Sequence, residues 1–208
     1  MFYRPDLPVT RHLNHLPHWQ QESACVFITW RLADSVPKGL TDRWKAEREE
    51  WLGDHPEPWS EDVREDYHRK FSSKLEEWMD QGMGKCVLRE PRLAAVVAES
   101  LSHFDGERYL LDSFVVMPNH VHVLFQLLPG FPMEKLVQSW KRYSARRINE
   151  LRGEGGQLWH KRYWDTLVRG ERHFWKVRRY IRDNPAKAKL REDEFVLYVP
   201  WEGDGSGD

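Results

Sequence analysis

At 208 residues, 40% of them hydrophobic and with a formal net charge of −1, the chain is sized for one domain with room for an insertion. It has no run of about 18 apolar residues, no charged-then-apolar leader after Met1 and only two cysteines, Cys25 and Cys86, which argues against a membrane span, a secretory signal or a cysteine framework and for a reduced cytoplasmic setting. The near-neutral charge conceals an asymmetry: Lys135 to Arg191 holds 17 Lys/Arg against 5 Asp/Glu, and the remainder 15 against 28.

Residues 1–22 are polar and include His12, His15 and His18. Their spacing of three suits neither a strand pair nor one helix face, so no metal site is expected there. Ala24 to Leu32 (ACVFITWRL) is rich in β-branched and aromatic residues and predicts the first strand. Lys38 to Met83 reads as two charged helices separated at Asp54-His55-Pro56-Glu57-Pro58. Trp44, Trp51 and Leu52 mark the apolar side of the first; Val63, Tyr67, Phe71, Leu75 and Trp78 form the stripe of the second. This is a helical insertion, residues 38–85, after the first strand, and its role is not legible. Pro91 to Phe104 predicts an amphipathic helix with proline in its first turn. Strands over Glu107–Val116 and His120–Leu127 follow, joined by Met117-Pro118-Asn119. Met133 to Leu151 predicts a helix with basic groups outward, ended by Gly153, Gly155 and Gly156. Leu158 to Arg169 predicts a last strand, and Glu171 to Asp183 a last helix closed by Asn184-Pro185. Residues 192–208 are acidic, end in Gly/Ser/Asp and predict a flexible tail. This order predicts an α+β fold, helices over one antiparallel sheet, with residues 1–208 forming one domain.

His120 and His122 flank Val121 on a predicted strand and so share a face, which makes them half of a divalent-metal site. By spacing alone, two surface histidines on an exposed strand serve as well. A metal centre acting on nucleic acid also needs a nucleophile. No Ser-His-Asp order, P-loop, HExxH or acidic cluster is legible, which leaves tyrosine, whose phenolate can form an ester with phosphorus. Tyr180 stands on a basic helix with Asn184 one turn on, placed to lend an amide oxygen to Mg²⁺ or Mn²⁺. Arg178, Arg179 and Arg182 bring positive charge to that helix, as Lys141, Arg142 and Arg146 do to the preceding one, where Tyr143 is an alternative nucleophile. Taken alone, the last helix is also an ordinary amphipathic one with Asn184 as its cap. Basic segments interleaved with Trp and Tyr point to a polyanion, although solvated basic helix faces give the same count.

The combination is more specific. Val116-Met117-Pro118-Asn119-His120-Val121-His122-Val123-Leu124, then Trp159 with Tyr163-Trp164-Asp165, then Tyr180-Ile181 with Asn184-Pro185-Ala186-Lys187-Ala188 resembles the IS200-like single-tyrosine HUH transposases, and within them the REP-associated tyrosine transposases. The resemblance runs from about Cys25 to Leu190 and covers the insertion weakly. It implies a ferredoxin-like sheet, His120, His122 and Asn184 as ligands of Mg²⁺ or Mn²⁺, and Tyr180 as the nucleophile toward single-stranded or hairpin DNA. It also implies a 5′-phosphotyrosine intermediate, transposition or mobilisation of REP elements, DNA contacts from the basic residues and Trp159, and a cytoplasmic, nucleoid-associated protein. Asp165 is a candidate for orienting a histidine or a DNA group. Alternatives are a non-enzymatic nucleic-acid hairpin binder of the same fold and a metal-dependent phosphoesterase. Monomer and dimer both remain open.

Overall fold

The computed structural model describes residues 2–4, 10–14, 16–21, 23–56 and 58–200, with the backbone alone for 10–14, 16–20, Glu61, Arg64 and His68. Strands β1 (Thr10–Asn14) and β2 (Leu16–Gln20) form a separate antiparallel hairpin that sets His12 opposite His18. His15 and the side chains of His12 and His18 lie outside the described residues, and so does the expectation about them. Strand β3 (Cys25–Leu32) leads into α1 (Lys38–Asp54), α2 (Glu61–Tyr67), a π-helical turn at His68–Ser72, and α3 (Ser73–Asp80). A 3-10 turn at Val87–Arg89 then leads to α4 (Pro91–Ser102), β4 (Tyr109–Val116), β5 (His120–Leu127), α5 (Met133–Arg152), β6 (Trp159–Leu167), α6 (Glu171–Lys187) and β7 (Val196–Tyr198).

The five-stranded sheet has the order β6–β3–β5–β4–β7, and every neighbouring pair is antiparallel. Taking β3, α4, β4, β5, α5 and β6 in sequence gives the βαββαβ order of a ferredoxin-like core. Strand alternation then sorts the side chains. Val121, Val123 and Phe125 of β5 enter a core with Val97 and Leu101 of α4 and Val137 and Trp140 of α5. Leu124 and Val115 instead pack on Val177 and Ile181 of α6. His120 and His122 share the parity of Leu124 and so lie on the α6 face. The inserted helices hold themselves together around Trp44, Trp51 and Phe71, and reach the sheet through Leu75, Met79, Val36 and Trp164. Gly84 makes their return possible: its φ is +84°, and a Cβ there would sit 2.5 Å from the Asp34 carbonyl oxygen.

Two expectations need correction. Helix α6 does not close at Asn184-Pro185 but runs on to Lys187. Proline forfeits its own N–H bond, yet the turn survives because the Ala188 N–H reaches the Asn184 carbonyl at 3.1 Å and the Leu190 N–H the Pro185 carbonyl at 3.0 Å. Asn184 is therefore a helix-interior residue, not a cap. Nor is the start of the acidic segment a flexible tail. Val196, Leu197 and Tyr198 pair with Val116, Val115 and Phe114, and the Tyr198 ring stacks on Phe114 at 5.4 Å. The apolar run Phe195-Val196-Leu197-Tyr198 covers an edge strand, which composition averaged over the segment hides; residues 201–208 lie outside the description.

Candidate active site

The β4–β5 turn places the paired histidines. Its Met117 N–H donates to the His120 carbonyl at 2.9 Å, and the Asn119 carbonyl accepts from the Leu32 N–H at 2.8 Å, locking the turn to β3. The Asn119 amide nitrogen donates to the carbonyls of Met79 and Met83, both at 3.1 Å. Its oxygen is thereby turned to His120 Nδ1 at 2.7 Å. His120 Nδ1 must then carry the proton, and Nε2 presents a lone pair. His122 repeats the arrangement, with Nδ1 2.7 Å from Thr29 Oγ1 and its ring stacked on Phe27 at 5.5 Å. Both rings are buried and uncharged: burial pushes His120 down to about 3, and burial, with His120 and Lys187 nearby, holds His122 well below its usual range. Neutral imidazoles, each with one nitrogen committed to a hydrogen bond and the other facing inward, are poised as metal ligands.

Tyr180 comes from α6. Its hydroxyl is 3.5 Å from His122 Nε2 within the same chain, and its ring packs edge-on against Phe27 and His122. Burial raises the phenol well above its ordinary pKa, and the charges of Glu76 and Asp80 raise it further. Asn184, one turn along, is fully buried. Its amide lies near the Tyr180 hydroxyl, but neither amide atom makes a hydrogen bond among the described residues. The Lys187 ammonium sits 4.9 Å from the Tyr180 ring centre.

Two acids that the sequence did not single out complete the cluster. Glu76 and Asp80 lie one turn apart on α3, so the insertion faces the histidines. The Glu76 carboxyl lies against the Tyr180 hydroxyl, and Asp80 Oδ1 is 3.9 Å from His120 Nε2. Burial and the neighbouring Asp80 push Glu76 up to about 7, and burial pushes Asp80 up to about 6. The signal was present as the spacing of Glu76 and Asp80 beside the buried Leu75 and Met79, but in a charged helix it looks like any solvated edge. Thr29 and Phe27 were legible only as alternating residues of the first strand.

The other expected residues disperse. Tyr143 stands on the α4–α5 side of the sheet, with its hydroxyl 3.3 Å from Glu99, so it is no rival for the histidines. Trp159 is a core residue, not a stacking platform: its indole N–H donates to Ser144 Oγ at 3.0 Å, and its ring meets Trp30 edge-on. Arg178 turns inward, ion-paired with Asp112 at 3.3 Å and donating to the Pro200 carbonyl at 2.7 Å. Lys141 is spent on the His160 and Lys161 carbonyls at 2.8 and 3.0 Å. Trp159, Arg178 and Lys141 belong to the architecture because long or aromatic side chains on a basic helix or strand serve either role, and only packing decides. Arg142, Arg146, Arg179 and Arg182 remain exposed. Asp165 shares the face of Tyr163, away from the histidines.

Among the described residues no three His, Cys, Asp or Glu side chains are gathered closely enough to hold a metal ion. The site nevertheless fits one in its chemistry. His120 Nε2 and both amide atoms of Asn184 are buried polar atoms without a hydrogen-bond partner among the described residues, and the Tyr180 hydroxyl lies 3.5 Å from His122 Nε2. No described helix is long and apolar enough to cross a membrane.

Residues 89–184, from the turn before α4 to Asn184, match the family model described as "Transposase IS200 like". A search of curated proteins found no match. Among solved structures, the chain is similar at 13% identity and a TM-score of 0.44 to a REP-associated tyrosine transposase bound to a REP hairpin, covering 94% of this chain and 95% of that one. It is similar at 17% identity and a TM-score of 0.31 to a protein assigned as a transposase of Deinococcus radiodurans R1, covering 88% and 97%. The matched segment carries the paired histidines, the tyrosine and the asparagine whose convergence the fold creates, and over residues 89–184 the chain is similar to the IS200-like transposases.

Proposed function

We propose that the protein is a metal-dependent endonuclease and strand transferase for single-stranded, hairpin-forming DNA, working through a 5′-phosphotyrosine. One observation carries this reading: the Tyr180 hydroxyl lies 3.5 Å from His122 Nε2 in one chain, with Asn184 one turn away. His120, His122 and Asn184 would hold the ion. A bound Mg²⁺ or Mn²⁺ supplies positive charge to the non-bridging oxygens of the scissile phosphate.

The residues of the chain do the rest. Tyr180 Oη forms a bond to phosphorus while the bond from phosphorus to the 3′-oxygen breaks; the 3′-oxygen leaves and takes up a proton. The phenol must first lose its own proton, which burial makes costly. Glu76, lying against that hydroxyl, is the acceptor, and a carboxyl held at about 7 is matched to the task near neutral pH. The exposed Arg179 and Arg182 flank the nucleophile for phosphate contact. Reversal of the same steps rejoins a 3′-hydroxyl to the bound 5′-phosphate, which is strand transfer. Nucleophile and histidines from one chain favour cleavage in cis. A DNA substrate of this kind implies a nucleoid-associated, cytoplasmic protein, and the family resemblance implies REP-type hairpins.

An end-labelled hairpin oligonucleotide incubated with the protein and Mn²⁺ is expected to yield a denaturation-resistant protein–DNA adduct. Tyr180→Phe should abolish it and Tyr143→Phe leave it intact. Full adduct formation by Tyr180→Phe overturns the assignment. Salt-sensitive binding without an adduct under any divalent metal would establish the non-enzymatic hairpin binder instead.

A further inference from the structure

We propose that the cleft between the inserted helix α1 and strands β3 and β6 holds a backbone phosphate of the DNA strand that Tyr180 attacks, with Arg31, His160, Arg162, Lys45 and Arg48 as donors. The inference rests on the reading of the protein as a DNA-processing enzyme, and it gives the insertion a role. It starts from a buried charge without a counter-charge. Arg31 is 4% exposed, and its Nε has no hydrogen-bond partner among the described residues. Its Nη1 donates to Ser35 Oγ at 3.0 Å and to the Leu32 carbonyl at 3.3 Å, both neutral acceptors. Burial pushes the guanidinium down to about 10, and no neighbouring acid offsets it. A cation held in this way is costly until an anion meets it.

The surroundings are donors as well. Arg31 lines a cavity of about 20 Å³ with His160 and Arg162 of β6 and with Lys45 and Arg48 of α1, and no described carboxylate lines it. Lys45 has only the exposed Asp42 at 3.5 Å, and Arg48 donates to the neutral Tyr67 hydroxyl at 2.6 Å. His160 Nδ1 accepts the Arg162 N–H at 3.3 Å, so the neutral ring donates through Nε2. Burial and the charge of Arg31 keep that ring neutral, pushing it down to about 4. Cations facing one another across a cleft repel, and an anion seated between them reverses the sign. The space admits about one or two oxygen-sized groups and no base, which suits a phosphate entering by its oxygens. Register puts the cleft beside the histidines. Arg31 lies opposite His120, and Thr29 opposite both His122 and Trp164, so Arg31, Arg162 and Trp164 share the sheet face of the histidine pair. Leu75 of α3 walls the cleft, and the next residue, Glu76, lies against the Tyr180 hydroxyl. A strand leaving Tyr180 therefore reaches the cleft along one face.

A methylphosphonate scan tests this: a hairpin oligonucleotide with single-stranded flanks has its phosphates replaced one at a time by the uncharged analogue, and binding in EDTA is followed by fluorescence anisotropy. The wild type is expected to lose about three- to tenfold in affinity at one or two flanking linkages. Arg162→Ala and Lys45→Ala should each weaken binding of the unmodified oligonucleotide by about as much, lower the salt slope by about one, and no longer sense those linkages. Arg162→Lys should restore the slope. Arg92→Ala, which removes an exposed charge on α4 at the other face of the sheet, should change none of these. The variants avoid Arg31 because Arg31→Ala would also remove its bonds to Ser35 and Leu32. No hairpin binding by the wild type would overturn the DNA reading itself. Wild-type binding whose linkage-specific loss persists in Arg162→Ala and Lys45→Ala would overturn the cleft alone. So would wild-type binding without any linkage-specific loss, and a rise in Tm with inorganic phosphate would then mark a site for a free anion.

Discussion

Glu76 shows how burial turns one side chain into a pH-dependent element. Its carboxyl titrates at about 7 in the fold against an ordinary 4.5, because burial and the charge of Asp80 disfavour its ionised form. A raised acid pKa means that the folded state holds the proton longer than the unfolded chain. Its contribution to stability is therefore most favourable below pH 4.5, falls as pH rises, and is fully lost above about pH 7. Glu76→Gln removes that titration. Urea unfolding in EDTA should find the variant and wild type closest near pH 4.5, with the variant gaining steadily up to about pH 7; a flat or reversed difference would contradict the assignment. None of this was legible beforehand, since the sequence shows a glutamate on a charged helix and nothing about what covers it.

Helix α6 shows the same limit across an element. Its spacing placed Tyr180 and Asn184 one turn apart along one side, and the structure adds that Val177 and Ile181 are the residues it buries. Its arginines were indistinguishable by sequence, yet Arg178 is 7% exposed and paired with Asp112, whereas Arg179 is exposed. Arg178→Ala should cost about 3 kcal/mol, because it strands a partly buried carboxylate. Arg179→Ala should change stability by no more than about 0.5 kcal/mol but lower the salt slope of DNA binding by about one. Chemical denaturation and a salt series of binding isotherms separate the two, and equal effects in both assays would refute the division. A helical period says which residues share a stripe; the partner of that stripe lies elsewhere in the chain.

For the whole molecule, the sheet is completed by a segment that composition marks as tail. Strand β7 shields the β4 edge at Phe114 to Val116, and Phe195 joins the α6-side core. Truncation after Glu194 should lower Tm by roughly 5 °C, taking about 2 kcal/mol for the lost apolar cover. It should also promote association through the bared edge, visible by sedimentation velocity. A truncated chain that stays monomeric with an unchanged Tm would show that the strand carries no weight.

By itself the sequence determined the α+β order of elements, the histidine pair on one strand face, and Tyr180 with Asn184 on one helix. Alternation and helical period are local, so they survive without knowledge of the partner. The tertiary structure decided the rest. It brought a helix some sixty residues away to within 3.5 Å of His122, sent Tyr143 to the opposite face of the sheet and buried Trp159. It also swung Glu76 and Asp80 of the inserted helices onto the same cluster. Which polar groups meet in a buried site depends on long-range packing of the two faces of one sheet, and no local pattern encodes that.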